Sequence, residues 1–188
     1  MRSTLRILSL LLALSALSVT GTAFGAGQRK VPAYEKYIKQ YSNLAIQHQK
    51  KFHIPASITL AQGLLESGAG QSELARKSNN HFGIKCHSDW RGGRVYHDDD
   101  LRGECFRKYK NPEQSYEDHA RFLVDRPRYA SLFKLKATDY KGWARGLQKC
   151  GYATDRAYAN RLIKLIEDYD TNRYDTAKGG KKAGKRPA

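Results

Sequence analysis

The sequence that decides the fold is the apolar stretch IPASITLAQGLLESGAG, residues 54–70. Its apolar side chains recur at steps of three and four residues, the spacing of one buried helix face. They are Ile54, Ile58, Ala61 and Leu65. Pro55 suits the first position of a helix, and Gly68 and Gly70 are residues at which a helix ends. The stretch therefore predicts one short, largely buried helix.

Glu66 lies in the last turn of this predicted helix, and Gln62 lies one turn back on the same face. The C-terminal end of a helix dipole is negative, so it does not stabilise a carboxylate. Partial burial would raise the pKa of Glu66 further. These conditions keep a carboxylic acid protonated near neutral pH, ready to act as a general acid. On position alone, a solvent-exposed glutamate is the more common alternative.

Apolar residues with helical spacing also lie before and after this stretch. A first helix is predicted over residues 34–52. The tetrapeptide NPEQ, residues 111–114, offers an N-cap, a proline at the first helical position and a glutamine two residues later, which indicates a capping box. Two more helices are predicted, with caps at Thr138 and at Thr154-Asp155.

The intervening segment, residues 71–110, has a different pattern. A polar loop leads to the turn Gly92-Gly93 and the short run Arg94–Tyr96. Residues 104–109 then alternate in the manner of a β-strand. We predict a small β-hairpin lobe inserted between helices. The outline is an α+β fold, mainly α, in one domain over residues 34–175.

The amino-terminal residues predict export. Arg2 and Arg6 form a short basic region before an apolar run over residues 7–19. Ala23-Phe24-Gly25 is a small-x-small cleavage pattern. The run is shorter than the ~20 residues of a membrane-spanning helix. We therefore predict a signal peptide over residues 1–25 rather than a membrane anchor.

The chain is strongly basic, with 34 Lys+Arg against 18 Asp+Glu and a net charge of +16. Such a charge implies an anionic partner. Export argues against nucleic acid and favours an acidic cell wall. A linker over residues 26–33 and a basic, disordered tail over residues 176–188 are expected to flank the domain. No integral membrane segment is expected after signal cleavage.

Export also places Cys86, Cys105 and Cys150 in an oxidising compartment. An odd number of cysteines leaves one thiol over. Cys86 and Cys105 bracket the predicted lobe, and their pairing would close its base. We predict this disulfide and a free Cys150.

Four motifs, in this order, resemble glycoside hydrolase family 73, the bacterial N-acetylglucosaminidases. They are residues 54–70; NNHFGIK, residues 79–85; CFRKY with EQSYEDH, residues 105–109 and 113–119; and GYATD with a following tyrosine, residues 151–155 and 158. One such motif is weak evidence, whereas four in order are strong. Together they cover about residues 34–170.

The resemblance implies a lysozyme-like fold and hydrolysis of the β-1,4 bond after N-acetylglucosamine in peptidoglycan glycan strands. It identifies Glu66 as the general acid. It also implies a second carboxylate in the β-lobe, because glycosidases usually flank the bond with two. Glu104 matches best. Asp98, Asp99 and Asp100 compete on the same lobe, although aspartates are also common in polar turns.

Five residues are predicted to bind the sugar: Gln62, Asn80, Phe82, Trp90 and Tyr152. Tyr152 is carried over from the fourth motif as a groove residue. Phe82 and Trp90 offer aromatic faces on which sugars can stack. Core packing is the alternative for Trp90, and fixing of its own loop is the alternative for Asn80.

No pair of the six histidines has the i, i+4 spacing of a zinc motif, so we predict no metal and no cofactor. We expect a monomer in the periplasm or outside the cell, associated with the cell wall. Three alternatives stay open: a lytic transglycosylase, a muramidase of similar fold, and a non-catalytic wall-binding module. The first two need the same acid, so the sequence separates them poorly from a glucosaminidase.

Overall fold

The computed structural model describes residues 30–88, 90–99 and 102–176. The predicted signal peptide, residues 26–29 of the predicted linker, the tail beyond residue 176 and Asp100 lie outside these residues. Within them the chain folds as α1 (Pro32–Phe52), α2 (Ala56–Ser67), α3 (Glu73–Ser78), β1 (Gly93–His97), β2 (Glu104–Lys108), α4 (Pro112–Val124), α5 (Tyr140–Lys149) and α6 (Tyr158–Asp168). Short 3₁₀ helices follow α4 (Pro127–Lys134) and α6 (Thr171–Thr176).

This order confirms the predicted fold class, a mainly helical protein with a small antiparallel hairpin. The sequence pattern missed α3, which has only six residues, too few to show a helical period. No helix in the described part of the chain is long and apolar enough to cross a membrane.

The helix α2 is the centre of the molecule, since ten of its twelve residues are buried. The predicted stripe faces one cluster of apolar side chains, which α4, α5 and α6 complete. Leu60 and Leu64 lie on the other side of α2 and pack into a second cluster with α1. A helix that is apolar nearly all round belongs in a core, and α2 joins the two clusters.

Two positions, one within α2 and one at its C-terminal end, require glycine for structural reasons. Gly68 ends the helix in the left-handed conformation, with φ of 54°, which glycine adopts at little cost. Gly63 faces α1, where an added Cβ would collide with the hydroxyl of Tyr37. Glycine at residue 63 therefore lets a tyrosine of α1 approach the backbone of α2.

The predicted helix ends are close to those observed. His53 ends α1 in the left-handed conformation, and Asn111 accepts a hydrogen bond from the Gln114 amide at 3.0 Å. Two caps differ from prediction. Asp139, not Thr138, caps α5 by accepting from the Gly142 amide. Asp155 accepts from the Ala157 amide in the turn before α6 and does not cap the helix itself.

The β-lobe is a two-stranded antiparallel hairpin in which Gly93 pairs with Lys108 and His97 pairs with Glu104. Phe106 anchors it to the core, with its ring buried. The disulfide joins Cys86 to Cys105 and Cys150 is free, which confirms the predicted pairing.

Three hydrogen bonds fasten β2 and the residue after it to α4. Nη1 of Arg107 donates to both carboxylate oxygens of Asp118 at 3.0 Å, and the Tyr109 hydroxyl donates to one of them. Hydrogen bonds between charged groups are stronger than those between neutral groups. The lobe is therefore attached to the helical body through its second strand.

The carboxyl-terminal 3₁₀ helix closes over the start of α2. The Asp175 carboxylate accepts hydrogen bonds from the backbone amide and the hydroxyl of Ser57, at 2.8 and 2.7 Å. Asp175 is buried, and burial raises its pKa to about 6 despite these bonds. The carboxylate thus satisfies an otherwise unbonded amide of the first turn of α2.

This raised pKa predicts a pH-dependent stability. The folded pKa of Asp175 exceeds the unfolded value, so its contribution is complete below about pH 4 and is lost as pH rises through about 6. The difference in unfolding free energy between the wild type and Asp175→Asn should fall by about 2–3 kcal/mol between pH 4 and 7. Urea unfolding measures it. An Asp175→Asn difference that does not change between pH 4 and 7 would contradict the raised pKa of Asp175.

Candidate active site

A groove of about 350 Å³ opens where the C-terminal end of α2 meets the β-lobe and the loop before α6. Its lining includes Glu66, Phe82, Lys85, Asp99, Phe122 and Tyr152. Aromatic walls with a few charged groups between them are typical of a site for a small or linear ligand. The groove is the place where the predicted acid meets solvent.

The Glu66 carboxyl is only partly exposed at this groove. Burial raises its pKa from the ordinary value to about 7, and the negative charge of Asp99 across the groove adds to the increase. A hydrogen bond from Tyr158 opposes both effects. A substantial fraction of Glu66 is therefore protonated at neutral pH, as a general acid requires.

A chain of three buried hydrogen bonds leads to Glu66. The Gln62 amide nitrogen donates to the Tyr158 hydroxyl at 2.9 Å, and that hydroxyl donates its one proton to Glu66 Oε1 at 2.8 Å. The Gln62 carbonyl oxygen faces Nε2 of His119 at 3.1 Å. Burial lowers the pKa of His119 to about 3, so its ring is neutral and Nε2 carries the proton.

These bonds all run in one direction, from His119 to Glu66. An oxygen that accepts a hydrogen bond is best suited to be the carbonyl oxygen of a carboxylic acid. Because Oε1 accepts from Tyr158, the acidic proton of Glu66 belongs on Oε2. The chain thus fixes both the rotamer of the acid and the oxygen that carries its proton.

The carboxylates of the β-lobe occupy three different environments. Glu104 accepts from Lys85 at 2.8 and 3.0 Å and is not among the residues that line the groove. Asp99 lines the groove and lies 3.3 Å from the same lysine. Asp98 accepts from the Gly103 amide in the hairpin turn. The structure therefore brings Asp99, rather than Glu104, to the groove with Glu66.

The fold and this groove match one family of enzymes. A family model for glucosaminidases, described as mannosyl-glycoprotein endo-beta-N-acetylglucosaminidase, matches residues 42–171. The chain belongs to the glucosaminidase family. This is glycoside hydrolase family 73, so the family predicted from the four motifs is confirmed.

Individual relatives of the glucosaminidase domain are cell-wall enzymes. The exo-glucosaminidase LytG of Bacillus subtilis is 39% identical over 67% of this chain and 48% of its own length. The peptidoglycan hydrolase FlgJ of Vibrio parahaemolyticus is 33% identical over 76% of this chain and 49% of its own length. The chain thus spans about half the length of these curated relatives.

A solved structure agrees with the assignment. The catalytic domain of the autolysin Auto from Listeria monocytogenes superposes with a TM-score of 0.66 at 31% identity. The match covers 79% of this chain and 91% of that one.

The predicted sugar-binding residues of this glucosaminidase domain divide into two groups. Phe82 and Tyr152 line the groove, but Phe82 is only 3% exposed and one face of its ring stacks on His119. Gln62 and Asn80 are 0% and 1% exposed, which places them behind the groove and out of reach of a ligand. Asn80 donates to the carbonyls of Ile84 and Arg107 and accepts from the Ile84 amide. It fixes its own loop, the alternative left open from the sequence.

Trp90 also lies away from the groove lining. Its indole nitrogen donates to the Gly93 carbonyl at 2.8 Å, and its ring stacks on the Arg107 guanidinium at 4.6 Å. Because Arg107 is the residue that binds α4, Trp90 supports the base of the lobe. Its position is the packing role that was the alternative to sugar stacking.

Two groups near Glu66 were not predicted as site residues. Tyr158 was named only as the tyrosine that follows GYATD in the fourth motif. His119 ends the third motif, and Phe82 stacks on it with ring centroids 3.9 Å apart. The motifs held the signal for both residues, but nothing in the sequence placed them beside Gln62.

The hydrogen bond from Tyr158 predicts a measurable pKa change. Tyr158→Phe removes the donor that lowers the pKa of Glu66, so this pKa should rise by up to about one unit. Titration of selectively ¹³C-labelled glutamate by NMR measures it. Tyr129→Phe is the control, because Tyr129 is in the same aromatic cluster but its hydroxyl has no hydrogen-bond partner in the described chain. An unchanged or lowered pKa of Glu66 in Tyr158→Phe would contradict the proposed chain of hydrogen bonds that ends at Glu66.

Proposed function

We propose that this protein is an exported peptidoglycan hydrolase that cleaves the β-1,4 bond after N-acetylglucosamine, with Glu66 as its general acid. The observation that carries the proposal is the partly buried Glu66 carboxyl, whose pKa is raised to about 7 at the wall of a groove. Membership of the glucosaminidase family supports the bond that is cleaved. The named activities of LytG and FlgJ support peptidoglycan as the substrate.

In the proposed reaction, Glu66 gives the proton on Oε2 to the glycosidic oxygen as the C–O bond breaks. The carboxylate that remains keeps its hydrogen bond from Tyr158, which becomes stronger as charge develops on the acceptor. The hydrogen bonds from His119 to Gln62 and from Gln62 to Tyr158 keep the Tyr158 hydroxyl directed at Glu66. We assign these three residues as positioning residues, because they act on the acid and not on the sugar.

The second carboxylate of the reaction is proposed to be Asp99. Glu104, the best match from the motifs, is bound to the groove residue Lys85 but does not itself line the groove, whereas Asp99 lines the groove with Glu66 and raises its pKa. Asp99 could activate water, attack the sugar itself, or assist attack by the substrate's own acetamido group. An open groove between lobe and body favours the first or third course, since a nucleophile must lie about 5–5.5 Å from the acid.

The basic composition supports an acidic polymer as substrate. The net charge of +16 attracts anionic surfaces over distances of about 10 Å at moderate salt. Cell wall that carries free carboxylates is such a surface. The cysteine pairing in the lobe is consistent with an oxidising compartment.

Replacing the acid tests the proposal. Glu66→Gln should fold normally and lose at least about 100-fold in the rate of muropeptide release, because glutamine has no proton to give. Glu35→Gln, at an exposed position of α1, is the control and should be fully active. Mass spectrometry of the products should show reducing-end N-acetylglucosamine. Normal turnover by Glu66→Gln would refute the acid, and anhydro products would show a transglycosylase instead.

A paired comparison tests the second carboxylate. Asp99→Asn should reduce turnover by about tenfold or more. It should also lower the pKa of Glu66, because the charge of Asp99 raises it. Glu104→Gln should cause the smaller loss and leave the pKa of Glu66 unchanged. If Glu104→Gln caused the larger loss of turnover and the larger change in the pKa of Glu66, the second carboxylate would be Glu104 and not Asp99.

A further inference from the structure

A second cavity, of about 280 Å³, lies on the other side of the end of α2. It is bounded by α1, by the turn after α2, by α3 and by the loop that contains His81. It has no lining residue in common with the groove at Glu66. Nothing in the proposed hydrolysis uses it.

A chain of tyrosine hydroxyls determines the proton on His81. The Tyr116 hydroxyl donates to the Tyr37 hydroxyl at 2.8 Å, and the Tyr37 hydroxyl lies 2.9 Å from Nδ1 of His81, the nitrogen to which we assign its one proton. A neutral imidazole that accepts at one nitrogen carries its proton on the other. Burial lowers the pKa of His81 to about 4, which keeps the ring neutral. Nε2 of His81 is therefore an N–H donor.

This donor has no acceptor. His81 is only 4% exposed and lines the cavity, and no group of the described chain bonds to its Nε2. Tyr41 lies beside it and accepts from the Gln40 side chain, so its own hydroxyl proton is also free for an acceptor in the cavity. These two donors line the same cavity, where a single acceptor group can bond to both.

The charges around the cavity have one sign. Lys36 and Arg76 line it, and neither forms an ion pair within the part of the chain that the structure describes. No acidic residue is among the lining side chains. Glu113 is near enough to raise the pKa of both His81 and Tyr41. That negative charge favours a ligand with a single charge over a dianion such as phosphate.

We propose that this cavity binds the carboxylate of a short peptide, with the His81 Nε2–H and the Tyr41 hydroxyl as donors and with Lys36 and Arg76 as countercharges. The cavity exceeds the room that a carboxylate alone would fill, since a water molecule takes about 30 Å³. It therefore holds the residue that bears the carboxylate as well.

The source of this carboxylate follows if the proposed function holds. The peptide stems of peptidoglycan end in free carboxylates and are attached to the glycan that would lie in the groove. Glu66 lines the groove and Gly70 lines this cavity, so both spaces border the C-terminal end of α2. This assignment of the source rests on the proposed function, whereas binding of the carboxylate does not.

The test is a binding titration without turnover. N-acetyl-D-alanyl-D-alanine is added to ¹⁵N-labelled protein, and NMR follows the amides of Gly70 and Gln71 and the Nε2 proton of His81. The proposal expects saturable shifts at these signals. The carboxamide of the same dipeptide should bind at least about fivefold more weakly, because it lacks the charge. Acetate and inorganic phosphate serve as comparison ligands.

Charge-matched variants complete the test. Lys36→Ala/Arg76→Ala should weaken binding of the dipeptide by about fivefold or more. Lys39→Ala/Lys50→Ala removes the same charge from exposed positions of α1 outside the cavity and should change binding by less than about twofold. Equal losses in both variants, equal binding of acid and carboxamide, or tighter binding of acetate or phosphate would overturn the proposal. Because no glycan is cleaved, failure here leaves the hydrolysis by Glu66 to be judged separately.

Discussion

Burial of the Glu66 carboxyl at the end of α2 is the interaction on which the site depends. An exposed glutamate is ionised at neutral pH and has no proton to donate. Here the helix that carries it is enclosed by two apolar clusters, so that the carboxyl emerges from the core into the groove with most of its hydration removed. Its raised pKa is therefore a consequence of the packing of α2.

Polar groups around α2 form hydrogen bonds that offset part of the cost of this burial. They form two series, one on each side of the helix, and each series has one direction of donation. On one side, His119, Gln62 and Tyr158 lead to the acid through three hydrogen bonds. On the other, Tyr116 and Tyr37 lead to His81. Each hydroxyl in these two series of hydrogen bonds has only one proton to donate. The direction of donation along each series therefore determines which atom of its last residue carries a proton.

Local patterns predicted the elements well. The apolar period of α2, its ending at Gly68 and the N-cap at Asn111 depend on neighbours within a few residues, so the sequence alone was sufficient. The reciprocal bond of the predicted capping box does not form, because the Gln114 side chain accepts from the Lys110 amide and not from that of Asn111. The bracketing of the hairpin by Cys86 and Cys105 also predicted the disulfide. The caps of the last helices were less accurate, because adjacent polar residues can each bond to the first turn and packing decides which one does.

The site was only partly predictable. The motif and the helix end indicated Glu66, and the groove positions of Phe82 and Tyr152 agree with the resemblance. The choice between Glu104 and Asp99 depends on which of these two partners of Lys85 lines the groove, and the fold of the hairpin decides it. Burial of Gln62 likewise depends on α4 and α6, which are distant in sequence. Such contacts are set by tertiary packing and leave no local pattern.

The central claim is that Glu66 is the acid because its pKa lies near neutrality, and the pH dependence of hydrolysis tests it most directly. Peptidoglycan hydrolysis is measured against pH, and the Glu66 carboxyl is titrated by ¹³C NMR in the free protein. A general acid must be protonated, so activity should fall as pH rises through its pKa. The account predicts that both midpoints coincide near about 7. A Glu66 carboxyl that titrates near its ordinary value of 4.5, with activity undiminished above pH 7, would contradict it.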